Sequence, residues 1–147
     1  MVVWGYVSEL ILSLLTLYFL GISFGWSSIH QWTIQIASDF TTIVLMVLLA
    51  GALTITCTIY SKSDTPFFIC LEKKGLLKPY MIAFNSCTMI FLVSAIASVV
   101  ARKSDIPFIS YACAFLFILS TINAYTMLKN LADLFRLNMA FNARQGP

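Results

Sequence analysis

Apolar residues run along this chain in four long stretches, and short polar segments separate them. A bilayer core about 30 Å thick is crossed by about 20 apolar residues in a helix that rises about 1.5 Å per residue. Each of the four stretches has at least that length. The pattern therefore predicts an all-α membrane protein with four membrane-spanning helices, at residues 2–26, 40–60, 79–101 and 107–128.

Two prolines and one short connection support this division. Pro79 and Pro107 stand at the first position of the third and fourth predicted spans, where a missing backbone N–H does no harm. Residues 102–106 form a connection so short that the third and fourth spans must be antiparallel neighbours. Residues 1–137 are thus predicted to form one antiparallel four-helix bundle, and residues 138–147 a short cytosolic tail.

The composition fits a chain surrounded by lipid. Of its 147 residues, 60% are hydrophobic and only 10% are charged, whereas about 25% of the residues in a soluble domain are charged. Too few charged residues exist to cover a water-facing surface. Residues 2–26 lack a basic start and a cleavage site, so they are predicted to be a retained span rather than a signal peptide.

The basic residues predict an orientation. With the N-terminus in the cytosol, Arg102 and Lys103 lie outside and the other seven of the nine basic residues lie in the cytosol. Because lysine and arginine collect on the cytosolic side, we expect both termini and the middle loop, residues 61–78, to be cytosolic. Five of the cytosolic residues are expected to face anionic lipid headgroups: Lys73, Lys74, Lys78, Lys129 and Arg136.

The middle loop also contains an apolar run. Phe67, Phe68 and Leu71 are expected to insert into the membrane interface beside the lysines. Cys70 lies among them, close to the membrane. Two interpretations of Cys70 stay open: it is reversibly palmitoylated, or it is a plain interfacial thiol.

Polar side chains within the spans fall at one depth. Glu9 is the one carboxylate well inside a span, and such a group is costly to place in lipid unless it finds partners. Side chains at a similar depth in the other spans extend the predicted interhelical polar layer to Thr56, Thr58, Asn85 and Asn123. The layer is either a hydrogen-bonded clasp between helices or a site that senses protons or lipid headgroups.

The first predicted loop and the end of the chain each leave an alternative open. Trp26, Ile29 and Trp32 are expected to anchor a loop, residues 27–39, on the outer leaflet, because tryptophan favours the headgroup layer. The alternation in WTIQI also fits a short strand that contacts a partner. After the fourth span, KNLADLFRLNMAF is either an amphipathic helix on the membrane or a prolongation of that span.

The chain lacks the residue combinations that catalysis requires. His30 is its only histidine, Glu9 has no second acid or base beside it, and no CxxC motif or phosphate-binding glycine loop occurs. The four cysteines are not placed for a disulfide framework. We therefore expect no enzymatic activity, no metal, no cofactor and no nucleic-acid partner.

The third and fourth spans resemble a known family. YMIAFNSCTMIFLVSAIASVVA resembles the third helix of MARVEL-domain proteins, and SYACAFLFILSTINAYTMLKNL resembles their fourth. The layout and length also resemble the myelin-and-lymphocyte and chemokine-like-factor group and small insect septate-junction tetraspans. The long, cysteine-bearing outer loops of claudins and tetraspanins are absent from the sequence.

The resemblance implies a scaffold that organises membrane at cell junctions or in vesicle trafficking. It would act through lateral contacts with lipids, with other integral membrane proteins or with copies of itself, in the plasma membrane or in vesicle membranes. Two alternatives are an accessory subunit of a larger channel, pump or transferase complex, and a small proton-linked carrier that uses Glu9.

Overall fold

The computed structural model describes residues 2–104 and 106–145, and all regular elements within these ranges are helices. This confirms the predicted all-α class. A π-helical segment, Phe40–Leu45, joins the second helix to the third. The six α-helices are α1 (Val2–Phe24), α2 (Trp26–Asp39), α3 (Met46–Ser61), α4 (Pro66–Lys73), α5 (Leu77–Lys103) and α6 (Pro107–Gln145).

Three of these helices are long and apolar enough to cross a membrane. They are α1, α5 and α6, with candidate spans at Gly5–Phe24, Leu77–Lys103 and Pro107–Arg144. The helices α2 and α3 form a fourth candidate if the pair, bent by 40°, is counted as one span. By length and composition the chain is therefore a multi-pass integral membrane protein with three spans in the described residues, or up to four.

The helices α5 and α6 pack antiparallel along their length. Cys87 of α5 lies beside Asn123 of α6, and Ser94, seven residues later, lies beside Ser120 and Leu116. Buried residues recur along α5 at alternating intervals of three and four, which is the repeat of left-handed coiled-coil packing. These residues are Phe84, Cys87, Phe91, Ser94, Ser98 and Ala101.

Small side chains explain why these two helices lie close together. Ser94 and Ser120 are fully buried, and their hydroxyl oxygens lie 2.7 Å apart. Ser98 is also buried, and it accepts a hydrogen bond of 2.6 Å from the Thr41 hydroxyl. Serine lets helix backbones approach closely, and its hydroxyl finds a partner across the interface.

The segment predicted as an outer loop is helical. In α2, Ile29, Thr33 and Ala37 are buried at intervals of four residues, while Gln31 and Gln35 between them are exposed. This spacing is helical, and it overrides the short alternation that also fits a strand. The prediction of a loop, and the strand alternative, were therefore wrong for this segment.

Contacts locate α2 at one end of the α5–α6 pair. The His30 Nδ1 atom lies 2.9 Å from the Ser110 hydroxyl, and the Trp26 and Tyr111 rings meet edge to face with centroids 5.3 Å apart. Farther along, Thr41 reaches Ser98. Because these partners lie near the start of α6 and the end of α5, α2 crosses the bundle at that end.

A single residue separates α1 from α2. Gly25 has a φ of +83°, a backbone conformation that residues with a Cβ rarely adopt. The turn brings the Trp26 ring over Gly21, where a Cβ would lie 2.6 Å from the nearest ring atom. Two glycines four residues apart thus permit the turn and the close contact that follows it.

The opposite end of the bundle is covered by α4. Phe67, Phe68 and Leu71 are buried within the protein rather than inserted into lipid, and the Phe67 ring lies 5.7 Å from that of Phe141 on α6. This corrects the expectation that the three residues enter the membrane interface. Their apolar side chains pack in one buried cluster with Leu134 and Phe141 of α6.

The last helix is longer than one bilayer crossing. At about 1.5 Å per residue, the 39 residues of α6 extend about 58 Å, nearly twice the thickness of a bilayer core. Residues after the predicted fourth span therefore prolong that helix. The predicted tail, residues 138–147, is helical as far as Gln145, and residues 146 and 147 lie outside the described range.

Candidate functional site

A cavity of about 490 Å³ lies between α1, α5 and α6. It exists because α1 packs mainly against α6 and α2, so that a cleft remains between α1 and α5 and α6 forms its floor. We call it the α1–α5 cleft. Its volume lies within the range of about 300–1,000 Å³ that is typical of small-molecule sites.

Each of the three helices contributes one face to the cleft. Residues at intervals of three or four lie on the same side of a helix, so each face is a short stripe of side chains. The polar lining of the cleft consists of Tyr6 and Glu9 from α1, Tyr80 and Cys87 from α5, and Asn123, Thr126 and Asn130 from α6.

Glu9 is held to the floor of the cleft by a hydrogen bond. The Thr126 hydroxyl donates to Glu9 Oε1 over 2.7 Å. Glu9 is half-buried, so its carboxylate is reachable from the cleft while one oxygen is already engaged. A hydrogen bond to a carboxylate is among the stronger kinds that proteins form.

Asn123 lies deeper and is fully buried. Its amide Nδ2 donates to the Leu119 carbonyl oxygen over 3.0 Å, one turn earlier in the same helix. The Cys87 thiol, also buried, lies 3.5 Å from Asn123 Oδ1 and so donates a weak hydrogen bond to it. Both groups tie α5 to α6 behind the cleft.

One polar atom of the cleft is left over. The Tyr6 hydroxyl is buried and makes no hydrogen bond of good geometry among the described residues, although the Ser86 side chain lies near it. A buried hydroxyl without a partner costs about 1–3 kcal/mol, and native proteins contain few of them. Since Tyr6 lines the cleft one turn before Glu9, a molecule bound there would come within reach of both groups.

The charge of the cleft has one sign. Glu9 is the only acidic side chain among the described lining residues, and none of those residues is lysine, arginine or histidine. Among the described residues, no group of three His, Cys, Asp or Glu lies close enough together to hold a metal ion. The arrangement is suited to binding a hydrogen-bond donor or a cation.

The predicted polar layer is only partly assembled. Glu9 and Asn123 both line the cleft, whereas Asn85 and Thr58 are exposed on other faces of their helices. The Thr58 hydroxyl donates to the Thr54 carbonyl oxygen within its own helix. Thr56 has a buried hydroxyl without a partner among the described residues, and it does not line the cleft.

The sequence prediction missed every polar residue of the cleft except Glu9 and Asn123, and for two of the missed residues a signal was present. Tyr6 precedes Glu9 by three residues, and Thr126 follows Asn123 by three. Residues three apart share a helix face, so this spacing was available in the sequence. The predicted layer rests on depth in the membrane, and depth does not distinguish the side of a helix that faces a neighbour from the side that faces lipid.

The other predicted site residues lie on the surface of the bundle. The basic residues Lys73, Lys74, Lys78, Lys129 and Arg136 are all exposed, and Arg136 pairs with Asp133 over 3.6 Å. Cys70 is half-buried beside Phe141 in a small cavity of about 150 Å³.

At the other end of the bundle, the predicted anchor is divided between surface and interior. Trp26 and Trp32 are exposed, whereas Ile29 is buried against neighbouring helices. The two indole rings therefore remain available to lipid or to a partner, and Ile29 does not.

Comparison with known proteins identifies no relative: no protein-family model, no curated protein and no solved structure matches the chain. The resemblance to MARVEL-domain proteins therefore stays a prediction from the sequence.

Proposed function

We propose that this chain is a non-enzymatic, four-pass membrane scaffold with both termini in the cytosol. Its role is to organise membrane by lateral contacts with lipids and with other integral membrane proteins. The proposal combines the MARVEL-like pattern of the third and fourth spans with the distribution of apolar surface over the helices. The sites of action that it favours are cell junctions or vesicle membranes.

The second crossing in this proposal is made by the π-helical segment and α3 together. Residues 40–61 would extend about 33 Å as a helix, which is enough for a bilayer core. The helix α2 then lies at the outer surface, where Gln31, Gln35 and the exposed carboxylate of Asp39 meet water. This division returns the chain to the cytosolic side before α4.

The exposed apolar face of α1 is the observation that carries the scaffold role. Only 17% of the residues in the most apolar window of α1 are buried, compared with 39% in α6. In the absence of a hydrophobic driving force within lipid, helices associate through close side-chain packing. The exposed large side chains of α1 include Leu14, Leu15, Tyr18, Phe19 and Ile22.

Site-specific photocrosslinking in native membranes tests the proposal. A photoreactive amino acid at Phe19, which is 64% exposed, should join the chain to a second copy or to a resident membrane protein. The same amino acid at Leu17, buried against α2 and α6, is the matched control and should crosslink only within the chain. Recovery of only monomers with lipid adducts from Phe19 contradicts the scaffold role.

The crosslinked product also separates the scaffold from the main alternative. Variable clusters of the chain with itself or with several proteins support a scaffold. One partner at a fixed stoichiometry instead identifies an accessory subunit of a larger complex.

A further inference from the structure

We propose that the α1–α5 cleft binds the primary ammonium group of a lipid headgroup, as phosphatidylethanolamine carries it. The Glu9 carboxylate receives the ammonium, and Tyr6 and the floor of α6 complete its hydrogen bonds. This site is separate from the scaffold role. It requires that α1 lies in a bilayer and does not require that the chain contacts another protein.

The first argument is the position of Glu9. An acidic side chain within a membrane span is costly, and it is retained where it meets a partner or serves binding. Thr126 satisfies one carboxylate oxygen by a neutral hydrogen bond. None of the described lining residues supplies a cation. A cationic ligand is the partner that the cleft is built to accept.

The second argument is the set of hydrogen-bonding groups beside Glu9. A primary ammonium has three N–H donors and no acceptor. The cleft offers acceptors for all three: the carboxylate of Glu9, the hydroxyl oxygen of Tyr6 and the side-chain amide oxygen of the half-buried Asn130. The buried Tyr6 hydroxyl, which makes no hydrogen bond of good geometry to its neighbour Ser86, thereby gains a donor.

These acceptors also distinguish a primary from a quaternary ammonium. A choline group has no N–H to donate, so it would leave the Tyr6 hydroxyl and the second carboxylate oxygen without hydrogen bonds. Quaternary ammonium sites instead surround the cation with aromatic faces. Among the described lining residues the aromatic ones are Tyr6 and Tyr80, so ethanolamine fits the cleft better than choline.

The third argument concerns the source of the ammonium. The remaining walls of the cleft are apolar, formed by Leu76 just before α5 and by Pro79 and Ala83 near the start of that helix. Leu12, which lies three residues after Glu9 on the same side of α1, is also apolar and exposed. Acyl chains lie well on such a surface, whereas a free amine gains nothing from it. A lipid is therefore the ligand.

The test uses the full-length protein in nanodiscs of phosphatidylglycerol that contain a trace of photoactivatable phosphatidylethanolamine. The readout is the yield of labelled protein and the position of the label. We expect label on residues that line the cleft, and unlabelled phosphatidylethanolamine should compete at least about tenfold better than added phosphatidylcholine. Free ethanolamine at the same concentration should not compete.

Variants assign the selectivity to Glu9. Glu9→Gln should reduce labelling by about tenfold or more, because the ammonium loses its counter-charge. Glu72→Gln, on the exposed face of α4, is the matched control and should label like the wild-type chain. Glu9→Asp keeps the charge in a shorter side chain, so it should retain part of the labelling and shows that loss in Glu9→Gln is not caused by misfolding.

Three outcomes overturn the proposal. Equal competition by phosphatidylcholine shows that the cleft does not select a primary ammonium. Wild-type labelling of Glu9→Gln shows that the carboxylate is not the receptor. Competition by free ethanolamine as strong as that by the lipid assigns the site to a soluble amine. Photocrosslinking at Phe19 is independent of all three, so failure here is distinguishable from failure of the scaffold role.

Discussion

Thr126 donates its hydroxyl hydrogen to Glu9 across 2.7 Å, and this bond joins two residues 117 positions apart in the chain. It connects α1 to α6 at the level of the cleft. A smaller share of the residues is buried in α1 than in α5 or α6. Each polar contact therefore contributes more to holding α1 in place. The same bond orients the carboxylate toward the cleft.

Removal of that bond should loosen α1. Thr126→Val deletes the donor with little change in volume, and we expect it to lower the free energy of unfolding by about 1 kcal/mol. Thr126→Ser retains the hydroxyl and should cost less. The measurement is unfolding by sodium dodecyl sulfate from mild detergent micelles.

Thr121→Val is the control for this series, because the Thr121 hydroxyl is exposed and donates only to the Phe117 carbonyl oxygen of its own helix. A loss in Thr121→Val as large as that in Thr126→Val would show that the contact with Glu9 adds nothing to stability.

The interface of α5 and α6 should not tolerate a larger side chain. Ser94→Leu inserts a branched side chain where two hydroxyl groups meet at 2.7 Å, so we expect a loss of about 1–3 kcal/mol from overpacking. Val93→Leu adds volume on the neighbouring exposed face and is the control. Equal stability of the two variants in the same detergent assay would contradict the close packing described here.

Gly21 should reject a side chain because of Trp26. A Cβ at Gly21 meets the indole ring at 2.6 Å, so Gly21→Ala must displace the ring or the turn at Gly25. Gly51→Ala is the control, since a Cβ at Gly51 meets nothing within 4 Å and alanine favours a helix.

The measurement is a double-mutant cycle with Trp26→Ala. We expect Gly21→Ala to destabilise the wild-type chain and to be nearly neutral once Trp26 is alanine. Additive effects would show that the two residues do not interact.

The covering helix α4 should protect the extension of α6. Phe67→Ala removes a buried ring that contacts Phe141, and we expect it to cost about 3 kcal/mol and to speed tryptic cleavage at Arg136 and Arg144. Phe108→Ala, at a site that is 77% exposed, should change neither quantity. Unchanged cleavage in Phe67→Ala would mean that α4 does not protect α6.

The sequence predicted the parts of this fold that depend on hydrophobicity and length. The third and fourth predicted spans, residues 79–101 and 107–128, lie within α5 and α6. The loop prediction for segment 27–39 was wrong because this helix buries only one face. Its buried residues, such as Ile29 and Thr33, come every four positions, so the average hydrophobicity of the segment is low. Average hydrophobicity detects contact with lipid, and it does not detect a helix packed on its neighbours.

The candidate site was predicted less completely, for a related reason. Glu9 stands out because a carboxylate in an apolar stretch is rare. Tyr6 and Thr126 do not stand out, since tyrosine and threonine are common in spans, and only the packing of α1 on α6 brings them to one cleft. Which face of a helix meets a neighbour depends on all the helices together.

The number of crossings, on which the whole account depends, is tested most directly by thiol labelling in intact cells. Cysteine is placed at Gln31 or at Lys73, both exposed, with Cys57 and Cys70 changed to serine. A membrane-impermeant maleimide should label Gln31→Cys from outside and Lys73→Cys only after permeabilisation. Labelling of both positions from the same side would show that residues 40–61 do not cross the membrane, and would contradict the four-pass account.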